Sequence, residues 1–121
     1  MSTAQPAGEA PAPARNEVFL AGRVSSEPVE RELPSGDRVV TFRLVLPRSR
    51  TPMTAKSRQS SDWVDCAAWG ARARRSAAGW HVGDHVEIEG SLRRRFYRDG
   101  SASATRLEIE MVSGRCVGRT A

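Results

Sequence analysis

Three aromatic side chains in this chain have flat, electron-rich faces at a spacing suited to stacking on other flat groups. Trp63 and Trp69 are six residues apart, so on a strand they share one face, roughly 20 Å from one another at about 3.3 Å per residue. Tyr97 shares a predicted strand face with Arg93 and Arg95. Aromatic rings interleaved with cations are typical of surfaces that bind unpaired nucleic-acid strands, because every base has a π-face and every nucleotide a phosphate.

The basic residues are almost all arginine: 18 of the 19 Lys and Arg residues are Arg, and the net charge is +5. Codon usage alone can explain this preference, so the positions of the cations carry more information than their number. Residues 43–58 hold five basic groups and no acid, and residues 91–106 hold five basic groups and one acid. We expect both segments to be hairpins beside the stacking face. The cations predicted to contact phosphate are Arg43, Arg48, Arg50, Lys56, Arg58, Arg93, Arg95 and Arg98.

Trp80 and a run of arginines near it are interpreted as structural. Trp80 follows Gly79, which stands where a glycine would end a helix, and the residues around it favour a packing role. The charge run at Arg72, Arg74 and Arg75 is more typical of a solvated helix face than of a binding site.

Trp63 and Trp69 differ from Trp80 in what lies opposite them. A tryptophan taken alone is more often a core or subunit-contact residue than a binding residue. Here Val64, Cys66 and Ala68 already supply the core on the opposite strand face, so the two indoles must face something else. This arrangement favours binding over packing.

The stacking residues need short strands to position them. Strands are predicted over residues 16–24, 38–47 and 62–70, a helix over 71–80, and two further strands within 81–112, joined near Asp99 and Gly100. Residues 25–37 form a turn-rich connection with one short extended piece around Val29 to Leu33, and residues 48–61 form a long mobile loop. Three strands, a short helix and two strands predict an all-β, five-stranded OB-fold barrel with its helix between strands 3 and 4.

Alternation along the strands predicts which side chains point inward. On the last two strands the inward rows are Val86, Ile88, Gly90 and Leu92, and Leu107, Ile109 and Met111. On the first two strands the rows that share one face are Val18, Leu20, Gly22 and Val24, and Val40, Phe42, Leu44 and Leu46.

A chain of 121 residues fits one domain. We predict a flexible Ala/Pro-rich arm over residues 1–15, one OB-fold domain over 16–118 and a C-terminal end over 119–121. The sequence shows neither the apolar run of a signal peptide nor a membrane span, so we expect a cytoplasmic protein.

Catalytic and metal-binding groups are poorly represented. His81 and His85 are four residues apart but lack a third ligand, so we expect no metal, no cofactor and no catalysis. Asp62 and Asp65 have opposite strand parity, so they do not form a carboxylate pair, and we expect them to form hydrogen bonds or to be solvated. Two cysteines, at positions 66 and 116, are expected to be reduced structural thiols, although a disulfide remains open.

The runs NEVFLAGRV, EPVERELPSGDRVVTFRL, SDWVDCAAWG, GDHVEIEGSLRRRFYRDG and TRLEIEMV, in that order, resemble the bacterial single-stranded DNA-binding protein family from Asn16 to about Gly118. The resemblance implies an OB fold, a homotetramer, sequence-tolerant binding of single-stranded DNA, and neither cofactor nor catalysis. By position it implies stacking roles for Trp63, Trp69 and Tyr97.

Two departures from the family pattern limit which family properties we expect of this chain. An aromatic residue found in many members falls at Arg50, so a cation replaces one stacking platform. Members that recruit replication and repair enzymes use a long tail with an acidic tip, whereas this sequence stops at GRCVGRTA. The resemblance therefore supports DNA binding more firmly than enzyme recruitment, and it is consistent with a shortened accessory paralogue.

Two other functions remain open at this point. An OB-type interaction module that binds no nucleic acid would bury Trp63 and Trp69 between subunits. A single-stranded RNA binder would use the same stacking, and only contacts to the 2′-hydroxyl would separate it from a DNA binder. The sequence does not determine which DNA transaction is served, the site size or the cooperativity.

Overall fold

The computed structural model describes residues 12–119. Most of the arm predicted for residues 1–15 and two of the three residues of the predicted C-terminal end lie outside this range. No helix within the described range is long and apolar enough to cross a membrane.

Six strands and one helix make up the regular structure of residues 12–119. They are β1 Val18–Val24, β2 Val29–Glu32, β3 Arg38–Pro47, β4 Ser61–Ala68, α1 Ala71–Ala78, β5 His85–Asp99 and β6 Ala102–Gly118. All five predicted strands are present, and the short extended piece predicted near Val29 forms β2. The helix lies between the third and fourth of the five predicted strands, as expected, and a turn containing Gly100 joins β5 to β6.

Five of the strands close into a ring. β1 pairs antiparallel with β5, β5 with β6, and β3 with β4, whereas β4 and β6 pair in parallel. The ring closes where Arg23 and Val24 of β1 pair with Val45 and Leu44 of β3. β2 pairs with β3 outside the ring. The predicted all-β OB fold is confirmed, and the ring holds the outer faces of β3, β4 and the β5–β6 hairpin in one fixed arrangement.

The core contains the predicted alternating residues of the strands together with one face of α1. Trp80, which is 3% exposed, packs edge-on against Phe42 with their ring centroids 5.3 Å apart. Its packing role is therefore confirmed. A side chain at Gly114 would force Trp80 to shift, because a Cβ there would lie 2.8 Å from Cη2 of Trp80. The helix ends at Gly79 in a right-handed conformation, with φ at −89°, and Trp80 N donates to the Ala77 carbonyl.

Two residues predicted to point into the core are exposed. Leu92 is 44% exposed and Leu107 is 48% exposed. The reason is that β5 and β6 continue beyond the ring as a two-stranded ribbon. β1 pairs with β5 only as far as Gly90, and β4 pairs with β6 only from Ile109 to Met111, so no third strand of residues 12–119 pairs with the ribbon. Alternation predicted two faces correctly there, but neither face is core.

Candidate nucleic-acid interface

The outer face of β3 and β4 presents Trp63 to solvent. In the register of the two strands, Val45 lies opposite Trp63 and Arg43 lies opposite Asp65. Trp63 is 56% exposed, while Cys66 on the other face of β4 is buried in the core. The predicted division of β4 into a core face and a free face is therefore confirmed at Trp63.

Trp69 is placed differently from the prediction. β4 ends at Ala68 and not at Gly70, so the strand spacing used to place Trp69 on the face of Trp63 does not reach it. Ala67, which lies between the two tryptophans in the sequence, is buried. Trp69 itself is half-buried at the start of the turn into α1, where its carbonyl accepts a hydrogen bond from Arg74 Nη1 at 2.8 Å.

The ribbon formed by β5 and β6 supplies the second aromatic platform. Tyr97, which is 37% exposed, lies opposite Ala104, and Arg95 lies opposite Arg106. Because side chains alternate along a strand, Tyr97, Arg95 and Arg106 share one ribbon face. Phe96 points to the other face and is 75% exposed.

Asp65 connects the two aromatic platforms through two arginines. Its Oδ1 accepts from Arg43 Nε at 3.1 Å, and its Oδ2 lies 3.5 Å from Arg106 Nη1. The Arg43 guanidinium carbon is 3.9 Å from the centroid of the Trp63 ring, and that of Arg106 is 5.1 Å from the centroid of the Tyr97 ring. We call these five residues, Trp63, Arg43, Asp65, Arg106 and Tyr97, the Asp65 cluster.

A cleft of about 380 Å³ opens beside the Asp65 cluster. Its charged lining includes Arg31 and Arg95 in addition to the two arginines of the cluster. Arg95 forms an ion pair with Glu108 at 3.6 Å, and the Glu108 side chain is only 8% exposed. Arg93, further along β5, donates from Nε to Glu110 at 2.9 Å. Most cations of this surface therefore have a carboxylate partner in the free protein.

The loop between β3 and β4 uses some of its cations to hold itself together. Arg48 is mostly buried, and its Nε lies 3.3 Å from Asp62 Oδ1 in an ion pair without hydrogen-bond geometry. Arg50 Nη1 donates to the Ala55 carbonyl at 3.0 Å. Lys56 and Arg58 are exposed and pair with no acid of residues 12–119. Within this loop, Lys56 and Arg58 are the cations most accessible to a ligand.

Sequence reasoning missed two members of the Asp65 cluster. Asp65 was treated as a solvated or hydrogen-bonding residue, and Arg106 was counted in its segment but not assigned a contact. A signal for Asp65 was present, since it stands two residues after Trp63 and therefore shares its strand face. Arg98, which was predicted to contact phosphate, is exposed near the tip of the ribbon.

The cysteines of residues 12–119 form no disulfide. Cys66 and Cys116 are free thiols, the first buried and the second half-buried. Burial, helped by the nearby charges of Asp65 and Glu108, raises the pKa of the Cys66 thiol to about 12. No group of three metal-ligating side chains occurs among residues 12–119.

The model of the single-strand binding protein family matches residues 15–115. The chain belongs to that family. Its family relatives include the single-stranded DNA-binding protein of Aquifex aeolicus, which is 29% identical over 104 residues, covering 86% of this chain and 71% of the relative. The single-stranded DNA-binding protein 1 of Chlorobaculum tepidum is 29% identical over 97 residues, or 80% of this chain. That alignment spans 60% of the Chlorobaculum protein.

A solved structure of this family has the same fold. The Plasmodium falciparum SSB in complex with single-stranded DNA superposes with a TM-score of 0.70, covering 92% of this chain and all of that chain, at 23% sequence identity.

Proposed function

We propose that this chain binds single-stranded DNA with little sequence preference, stacking bases on Trp63 and Tyr97 and contacting phosphates with the cations around them. The observation that carries the proposal is the Asp65 cluster, in which two exposed aromatic rings, one on β4 and one on the β5–β6 ribbon, each have an arginine beside them. Family membership and the names of the relatives support the same ligand. Trp69, being half-buried, is proposed as a lesser platform.

Magnitudes show that stacking and phosphate contacts are both needed. Stacking contributes about 1–3 kcal/mol per base, so two or three platforms supply roughly 2–9 kcal/mol. Micromolar affinity corresponds to about 8 kcal/mol. The cations must therefore supply a large part of the binding free energy. The arginines of the ribbon and the exposed cations Lys56 and Arg58 of the β3–β4 loop are the groups proposed to do so.

The proposed role is protective rather than catalytic. A protein that covers unpaired strands during DNA replication, recombination or repair needs neither a cofactor nor a poised nucleophile, and we propose such a role in the cytoplasm.

We further propose that the chain assembles as a homotetramer. One edge of β1 pairs with β5 from Val18 to Arg23. The other edge pairs with β3 only at Arg23 and Val24, so β3 does not pair with the part from Val18 to Gly22. Phe19, on this part of β1, is 63% exposed. A partly open strand edge with an exposed aromatic residue favours pairing with another copy. Repeating the site in one assembly would multiply its avidity for a long strand.

Tryptophan fluorescence tests the proposed function directly. Titration with a poly-thymidine oligonucleotide should quench the fluorescence, the quenching should weaken with salt, and Trp63→Ala should reduce it more than Trp69→Ala. A parallel titration with the matching uridine oligonucleotide separates DNA from RNA binding. An unchanged signal from a folded protein would contradict the proposal and would favour an interaction module that binds no nucleic acid.

A further inference from the structure

We propose that Arg43 and Arg106 form a phosphate-docking point between the two stacking platforms, and that Asp65 occupies this point until an incoming strand displaces it. The inference rests on the proposed function, because it assigns one phosphate of a bound single strand to a position between the base on Trp63 and the base on Tyr97. It adds two residues to the interface, Asp65 and Arg106. In this proposal Asp65 competes with a DNA phosphate for Arg43 and Arg106.

The geometry of Asp65 supports the phosphate position. Each of its two oxygens contacts a different arginine, at 3.1 Å for Arg43 and 3.5 Å for Arg106, so the two guanidinium groups converge on one small anion. A phosphodiester also shares one negative charge between two oxygens, and arginine recognises carboxylate and phosphate through the same planar donors. Asp65 therefore holds a place that a backbone phosphate could take.

The two arginines also lie where a strand would pass. The Arg43 guanidinium lies over one face of the Trp63 ring, and the Arg106 guanidinium lies near the Tyr97 ring. A base stacked on either ring brings its own phosphate close to the adjacent arginine. The docking point is thus placed between two successive stacking sites.

Exposure makes the exchange feasible at Asp65 but not at the neighbouring acid. The side chains of Arg43 and Arg106 are 44% and 48% exposed, and that of Asp65 is 22% exposed. Ion pairs between partly exposed groups are weak, so a phosphate can replace the carboxylate. Glu108 is 8% exposed and stays with Arg95, so it does not compete in the same way.

The test compares Asp65→Asn with Glu87→Gln, which makes the same change in net charge. Glu87 pairs with Arg115 at 2.8 Å, and neither residue belongs to the proposed interface. Asp65→Asn should tighten binding of a thymidine oligonucleotide by up to about fivefold, the equivalent of one partly exposed ion pair. The logarithmic salt slope should change by no more than about 0.7, because only one phosphate is docked at this point. Glu87→Gln should leave both quantities close to wild type.

A second background shows whether Asp65 acts through its arginines. In Arg43→Gln/Arg106→Gln, the further change Asp65→Asn should no longer tighten binding beyond the Glu87→Gln control. An equal gain in that background, or a loss of affinity in Asp65→Asn alone, would overturn the inference. If Asp65→Asn does not fold, Arg106→Gln alone decides: a lower affinity with a shallower salt slope supports the docking point, and unchanged binding refutes it.

The two proposals fail in different ways. A folded wild-type protein that does not bind the oligonucleotide removes the proposed function and this inference with it. A wild-type protein that binds, with Asp65→Asn indistinguishable from Glu87→Gln, removes only the docking point.

Discussion

The guanidinium carbon of Arg43 lies 3.9 Å from the centroid of the Trp63 ring, while Nε of the same guanidinium donates to Asp65 at 3.1 Å. A cation over an indole face is attracted by the electron density of the ring, and the carboxylate fixes the direction of the guanidinium. The Trp63 ring is therefore exposed, and the Arg43 guanidinium beside it is held in place by Asp65. The same carboxylate holds Arg106 near Tyr97, so one acid orients cations at both platforms.

Neighbouring aromatic residues of the ribbon should differ sharply in their effect on binding. Tyr97→Ala should weaken binding of a thymidine oligonucleotide by about 1–3 kcal/mol, because it removes one stacking platform. Phe96→Ala is the matched control, since Phe96 lies on the opposite ribbon face and is more exposed than Tyr97. Fluorescence titration at one salt concentration measures both variants. A larger loss of affinity in Phe96→Ala than in Tyr97→Ala would place the DNA on the Phe96 face of the ribbon and contradict the proposed interface.

The salt dependence of binding should decrease when an accessible loop cation is removed. Lys56→Gln and Arg58→Gln should each make the logarithmic slope of affinity against salt shallower by about 0.7, because the variant protein neutralises one phosphate fewer than the wild type. Arg115→Gln serves as the control, because its guanidinium pairs with Glu87 at 2.8 Å outside the proposed interface. Titrations over a series of NaCl concentrations give the slopes. Equal slopes in all three variants and wild type would remove the loop from the interface.

Trp80 should matter for stability where Trp63 matters for binding. Trp80→Ala should lower the free energy of unfolding by about 3–5 kcal/mol, because it leaves a cavity beside Phe42. Trp63→Ala should change the same free energy by no more than about 0.5 kcal/mol, because the indole lies on the surface. Chemical denaturation followed by circular dichroism measures both. A destabilised Trp63→Ala would indicate that the indole supports the fold.

The buried thiol of Cys66 should make stability fall at alkaline pH. Its pKa is raised from 9.0 to about 12 in the folded chain, so above pH 9 the unfolded thiol ionises while the folded one stays protonated. The unfolded state then binds fewer protons than the folded state, and the free energy of unfolding decreases as pH rises from 9 towards 12. Denaturation of wild type and Cys66→Ala at pH 7.5 and 10 measures the difference. The decrease should be smaller in Cys66→Ala, and identical decreases would contradict the assignment to Cys66.

The positions of the residues predicted to stack agree with the structure to different degrees, for a physical reason. Trp63 was placed correctly because it lies inside β4, where the period of two fixes the face of each side chain. Trp69 lies one residue past the end of that strand, and the period no longer applies where the chain turns into α1. The predicted burial of Leu92 and Leu107 was wrong for a similar reason. A strand pattern gives two faces, but it does not say whether either face packs against other elements.

The sequence by itself determined the order of the strands, the position of the helix, the core residues such as Trp80, and the two aromatic residues Trp63 and Tyr97 on free strand faces. These follow from local periods and turn residues, which act over a few neighbours. Only the tertiary structure decided that Asp65 bridges Arg43 and Arg106, since these three residues belong to β4, β3 and β6. Their meeting depends on how the ring closes, and ring closure is a property of long-range strand pairing that no local pattern contains.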